Sequence, residues 1–212
     1  MNNIIQKLPD SYKYGINEVL GLFAAVDAKI NEFVKITGIH CPRGCGFCCN
    51  SMKIETTVLE MLPISAWLWA NGKADETLSL LSARQDNVCV FFKKDPKISQ
   101  NGSCGIYQLR PLVCRLFGFF TTKDKNNKYI YGSCKVIKNT YPETYKQCLK
   151  LIESGYHPSS MTDFSIRVLA QGTGLGGKMF NINIAAKIAL EKIGLALSLI
   201  ETPPETPNPQ AA

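Results

Sequence analysis

Nine cysteines stand at positions 41, 45, 48, 49, 89, 104, 114, 134 and 148, and the first four crowd into Cys41-Pro-Arg-Gly-Cys45-Gly-Phe-Cys48-Cys49. Thiolates at this density are ligands for a soft metal centre, either zinc or an iron-sulfur cluster. Gly44 and Gly46 let the backbone curl and aim several sulfurs at one point. Cys48 and Cys49 are neighbours, and neighbouring side chains diverge by about 100° on a helix or point to opposite faces of a strand. They suit two centres that share the loop, or one polynuclear cluster with a spare thiol, better than one ion. The remaining ligands are Cys89, Cys104, Cys114 and Cys134, so eight thiols complete two four-thiolate sites or one four-cysteine cluster with four left over. Cys148 lies apart in a helix-like stretch and reads as a buried core thiol. Nine cysteines with no pair of Cys-x2-Cys knuckles favour an iron-sulfur centre, such as a 4Fe-4S cluster, over zinc. Arg43, Lys53, Arg110 and Arg115 are placed to offset the thiolate charge.

Other motifs have plainer readings beside their chemical ones. Cys41-x3-Cys45-x-Phe47-Cys48 fits the spacing by which radical S-adenosylmethionine enzymes leave one iron open, so modification of a protein side chain through that cofactor is one use of the centre. The strand-helix series that would carry the cofactor is not evident after Cys49. Gly172 to Lys178 approaches a phosphate loop, but Met179 stands where a magnesium-binding hydroxyl belongs, and a connector between helices is expected. His40 and His157 read as loop histidines, Trp67 and Trp69 as core or helix-face residues.

The elements that must hold the cysteines follow from periodicity. Between Gly15 and Ile36, Ile16, Val19, Leu20, Phe23, Val26, Ile30, Phe33 and Val34 recur at three- and four-residue steps, which predicts an amphipathic helix delivering the chain to Cys41. Thr56 or Thr57 caps a second helix that carries Pro63 and ends at Asn71-Gly72, and Ala74 to Arg84 forms another. From Asn87 to Lys135 the texture is short and loop-rich. Two hairpins are expected, Val88 to Phe92 with Cys104 to Tyr107, and Phe117 to Thr121 with Tyr129 to Gly132. Helices return at Pro142 to Ser154, Met161 to Ala170 and Asn181 to Ile200, and the proline-rich tail is expected to be disordered. The expected fold class is mainly α with a small irregular β/loop-rich metal-centred module (α+β). The expected organisation is an N-terminal helix region over 1-37, a cysteine-cluster domain over 38-135, a helical region over 136-200 and a tail over 201-212.

A hydrophobic fraction of 45% with 19% charged residues is that of a folding chain, and excludes wholesale disorder. The net charge of +7 comes from scattered lysines instead of a block, so nucleic acid is not the expected partner. The first fifteen residues lack the apolar run of a secretory signal, which points to the reducing cytoplasm, where thiols stay free for metal. No transmembrane span is expected, because Ile182 to Ile200 is interrupted by Lys187, Glu191 and Lys192. That segment reads as an amphipathic helix suited to the core or to a protein partner.

The cysteine-dense loop followed by Cys104-Gly-Ile-Tyr107-Gln-Leu-Arg110-Pro111-Leu-Val-Cys114-Arg115 resembles the CxxCxxCC cysteine-cluster family, also called the YkgJ-like group of zinc- or iron-chelating domains. The resemblance covers about residues 38 to 135. One branch of that family is similar to the longer flagellin lysine N-methylases. The resemblance implies metal chelation by Cys41, Cys45, Cys48, Cys49, Cys89, Cys104, Cys114 and Cys134, with Tyr107, Arg110 and Arg115 around them. The first two cysteines here are separated by three residues, one more than the family's short label suggests.

Overall fold

The computed structural model describes residues 1–42, 45–51, 53–95, 102–126, 128–156, 158, 160–171 and 174–201. Arg43, Gly44, His157, the Gly172-Thr173 start of the glycine-rich stretch and the proline-rich tail lie outside the described residues. The described residues are 60% helical, those of a mainly α protein with few and short strands.

A short helix α1 (Asn2–Lys7) leads into α2 (Asp10–Thr37), which buries Ile16, Val19, Phe23, Val26, Ile30 and Phe33 along one stripe. The three- and four-residue spacing of those side chains is what makes one helical face apolar. Phe33 is the aromatic anchor, with ring centroids 6.2 Å from Phe119, 5.7 Å from Tyr131 and 6.3 Å from Tyr156. Gly38 ends the helix in the left-handed region, φ 72, and its N–H donates to the Val34 carbonyl. That stop fixes the angle at which the chain enters the cysteine loop.

Strand β1 (Glu55–Thr57) runs directly into α3 (Val58–Ala70), whose residues are buried on almost every side. Thr57 caps it through a reciprocal box: its Oγ1 accepts the Glu60 N–H, and the Glu60 carboxylate accepts the Thr57 N–H, each at 3.2 Å. The helix runs on through Pro63 and stops at Asn71, followed by Gly72 at φ 63. After α4 (Ala74–Ala83) come two hairpins, β2 (Phe92–Lys94) with β3 (Gly102–Cys104), and β4 (Phe120–Lys123) with β5 (Tyr129–Gly132). Between them lies the short α5 (Leu112–Leu116), and after them α6 (Lys135–Thr140), α7 (Pro142–Glu153) and α8 (Met161–Leu169).

The last strand β6 (Met179–Asn181) pairs antiparallel with β1, bringing the start of α9 (Ile182–Glu201) beside the start of α3. Ala185, Ala186, Ala189, Leu190 and Ile193 are buried where α9 meets α3. Trp69 seals the crossing: its indole N–H donates to the Leu190 carbonyl at 3.0 Å, and its ring sits where a Cβ on Gly194 would come within 2.5 Å.

Both hairpins are present but shorter than the sequence suggests. Val88 and Val90 do not join β2, because the Asn183 side-chain amide takes their backbone groups, accepting from Val90 N and donating to Val88 O at 2.8 Å each. On the other strand, the chain turns at Gly105 into a single 3-10 turn, Tyr107–Leu109. The start of β4 is delayed to Phe120 by Gly118, whose φ of 92 breaks the extended run.

Candidate metal centre

The cysteine loop is built of two tight turns. Cys45 N–H donates to the Pro42 carbonyl at 3.1 Å, folding Cys45 back beside Cys41, and Asn50 N–H donates to Gly46 at 3.1 Å, closing one helical turn around Cys48 and Cys49. Gly46 is required by contact: a Cβ there would lie 2.5 Å from the Phe92 ring and 2.7 Å from the Gly102 carbonyl. The loop therefore lies flat on the first hairpin. Cys49 also accepts a backbone bond from Cys89 at 3.4 Å, and the hairpin register sets Cys104 opposite Phe92.

Cys114 rides on α5, which is anchored by a buried carboxylate. Glu60, whose Oε2 completes the cap of α3, uses Oε1 to accept the Leu112 N–H at 2.9 Å. Cys134 caps α6, its sulfur accepting the Ile137 N–H at 3.3 Å. Cys41, Cys45, Cys48, Cys49, Cys104, Cys114 and Cys134 line one cavity together with Tyr107, Arg110 and three phenylalanines. Cys89 is buried. Four segments distant in sequence, the Cys41-to-Cys49 loop and those of Cys104, Cys114 and Cys134, thus carry sulfur to one place. Among the described residues, no group of three or more His, Cys, Asp or Glu side chains forms a ready ion-binding set. The free thiols instead hydrogen-bond to one another, Cys49 with both Cys48 and Cys104, and Cys41 with Cys45.

The electrostatics of this wall are uneven. Hydrogen bonding from Cys49, helped by the Arg110 charge, brings Cys48 and Cys104 down to about 7. Burial pushes Cys41 and Cys89 up to about 12 and raises Cys114 as well, while its bonds to Cys104 and Cys48 raise Cys49. Desolvation disfavours a bare thiolate, and a bound cation reverses that preference.

Arg110 supplies the positive charge. Its guanidinium lies 3.8 Å over the Tyr107 ring, and its buried Nε has no hydrogen-bond partner. An all-sulfur donor set suits zinc or an iron-sulfur centre, and a negatively charged metal-thiolate group would give the orphaned cation its counter-charge. The residues present fit such a group. Arg115 acts differently: buried and stacked 4.4 Å over Phe23, it donates to Asp27 of α2, to the Gln108 carbonyl, and to the Arg110 carbonyl at 2.8 Å. It locks the Tyr107–Arg110 turn onto α2 and spends its donors there instead of on thiols.

Several other expectations find their places. Lys53 lines a separate cleft with Glu55 and Thr57. His40 is engaged at both ring nitrogens, Nδ1 with the Gly38 carbonyl at 2.9 Å and Nε2 with the Tyr141 hydroxyl at 2.8 Å. Cys148 is buried in α7. Lys178 leads into β6 and follows a helix, without the preceding strand a phosphate loop needs.

Three positioning residues escape a reading of the sequence: Glu60, Asp27 and Asn183. Glu60 does carry a signal, the Thr57-x-x-Glu60 capping box, but its second bond to Leu112 is tertiary. Asp27 reads as part of the polar face of α2, and Asn183 as an ordinary first-turn residue of α9.

No curated protein and no solved structure matches the chain. Residues 40–148, half of the chain, match the CxxCxxCC family, described as "Putative zinc- or iron-chelating domain". The match runs past Cys134 to end at Cys148, further than the residues that first suggest it. With the sulfur-lined cavity formed by the same segment, the chain belongs to the CxxCxxCC family of zinc- or iron-chelating domains.

Proposed function

We propose that this protein is a metal chelator of the reducing cytoplasm, in which Cys41, Cys45, Cys48, Cys49, Cys89, Cys104, Cys114 and Cys134 hold iron as an iron-sulfur centre. The observation that carries the reading is the convergence of seven of these thiols on one cavity beside the buried, unpartnered Arg110 Nε. When bound, such a centre supplies electron transfer or an open iron for substrate. The chain's own residues contribute a cation for the net negative charge, a rim of aromatic side chains, and tight turns that hold the sulfurs.

Zinc is the second reading, because an all-thiolate donor set also suits that ion. A route through S-adenosylmethionine finds less support, because the described strands pair only two by two and antiparallel. Among the described residues no helix is long and apolar enough to cross a membrane. A protein partner is proposed to meet the outer side of α9, where Ile184, Leu195 and Leu199 are exposed within one helical face.

Metal analysis of protein purified without oxygen tests the reading. Brown protein absorbing near ~400 nm with labile sulfide supports iron-sulfur, and colourless protein with stoichiometric zinc supports the second reading. Cys45→Ser and Cys48→Ser should lose metal while Cys148→Ser keeps it. Equal metal content in all three variants would refute the assignment.

A further inference from the structure

We propose that the cleft between α2 and the Tyr107-to-Arg110 turn is the ligand site of the metal centre, open to it at Cys41 and built for a small organic molecule bearing one carboxylate. The proposal rests on the metal-chelating reading and deepens it, naming the side from which the centre is reached and the class of molecule that reaches it.

The cleft and the sulfur-lined cavity share a wall. Cys41, Tyr107, Arg110 and Phe119 line both, and the cleft holds about 390 Å³. That volume lies within the roughly 300–1,000 Å³ of small-molecule sites. Cys41 is the exposed member of the nine cysteines, the others being buried or half-buried. The exposed thiol therefore stands where cavity and cleft meet.

The opposite wall is one face of α2, where Asp27, Asn31 and Val34 follow at steps of four and three residues. Arg115 fastens that wall to the turn: it donates to Asp27 on one side and to the Gln108 and Arg110 carbonyls on the other. His40, which also lines the cleft, is held by its bonds to Gly38 and Tyr141. The walls are thus set before a ligand arrives, which lowers the ordering cost of binding.

Charge names the ligand. Asp27 and Arg115 cancel in their ion pair, which leaves Arg110 as the uncancelled charge among the described lining residues. Stacking on Tyr107 occupies the face of its guanidinium and leaves the N–H edge, whose buried Nε has no partner. That edge matches a carboxylate in shape, and one cation balances one such anion. The exposed side-chain amides of Asn31 and Gln108 supply donors and acceptors for a second polar group on the same molecule.

Succinamate, with one carboxylate and one amide, is the probe, and succinamide, its uncharged analogue of the same size, is the control. On the full chain purified without oxygen, succinamate should slow alkylation of Cys41 by iodoacetamide about three- to tenfold and shift the side-chain amide NMR signals of Asn31 and Gln108, while succinamide does neither. Arg110→Met should lose both effects and Arg110→Lys should regain part of them, with folding followed by circular dichroism. Asn31→Asp, which adds a negative charge on the exposed face of α2, should weaken the protection of Cys41. Amide signals that ignore succinamate, or that move equally with succinamide, overturn the proposal, and they decide it alone if an arginine variant does not fold or if bound metal leaves Cys41 unreactive. Metal content of the same preparation keeps the two readings apart. A loaded chain with no preference for the carboxylate overturns the cleft alone, and a chain that binds no zinc or iron yet keeps the preference overturns the chelating reading and leaves a carboxylate site.

Discussion

Asn183 grips the backbone on both sides of Cys89: its side-chain oxygen accepts from Val90 N and its amide donates to Val88 O, each at 2.8 Å. A residue ninety-four positions later in the chain therefore sets where a buried thiol sits, by occupying backbone groups that would otherwise extend the first hairpin.

Asn183→Ala should release that segment. Two lost bonds to partly buried backbone cost about 1–3 kcal/mol, read as a lower urea midpoint. Metal content should fall in step with the cysteines tied to Cys89, while Asn183→Asp, which keeps the acceptor and loses the donor, should lie between.

Glu60 joins the start of α3 to the start of α5, so its removal should loosen Cys114 from a distance. Glu60→Ala strips acceptors from the Thr57 and Leu112 N–H groups and should destabilise by about 2–4 kcal/mol. Glu60→Gln retains an acceptor oxygen and should cost less, as thermal denaturation of both variants would show.

Arg115→Leu should be the more damaging of the two arginine substitutions for stability. It leaves Asp27 unpaired and two backbone carbonyls without donors, a loss of about 3–5 kcal/mol in chemical denaturation. Arg110→Met should leave the fold intact and weaken metal binding by about 10–100-fold in competition with a chelator, because it removes the charge that faces the thiols.

Stability should fall as the solution is made alkaline, and Cys148 contributes to this. Burial lifts its thiol from the ordinary 9.0 to about 11, so the folded chain holds that proton more tightly than the unfolded chain. The contribution is complete below pH 9 and is lost as pH rises toward 11. Urea midpoints measured across this window should decline less steeply in Cys148→Ala than in the wild type, and equal slopes would remove Cys148 from the account.

The amino-acid order determined the helices by itself where periodicity was long: Ile16 to Phe33 leaves one apolar stripe, and no other conformation buries it. Local chemistry likewise announced a cap at Thr56 or Thr57, the Asn71-Gly72 stop, and the sulfur-rich loop with its metal chemistry, since each depends on residues within a few positions of one another. Tertiary structure decided what depends on distant partners. Which thiols neighbour which, why Val88 and Val90 leave their expected strand, and why Arg115 faces Asp27 while Arg110 faces sulfur all turn on contacts between segments tens of residues apart. Short strands such as Phe92–Lys94 bury too little of their own surface to fix their ends, so their limits are set by side chains arriving from elsewhere in the chain.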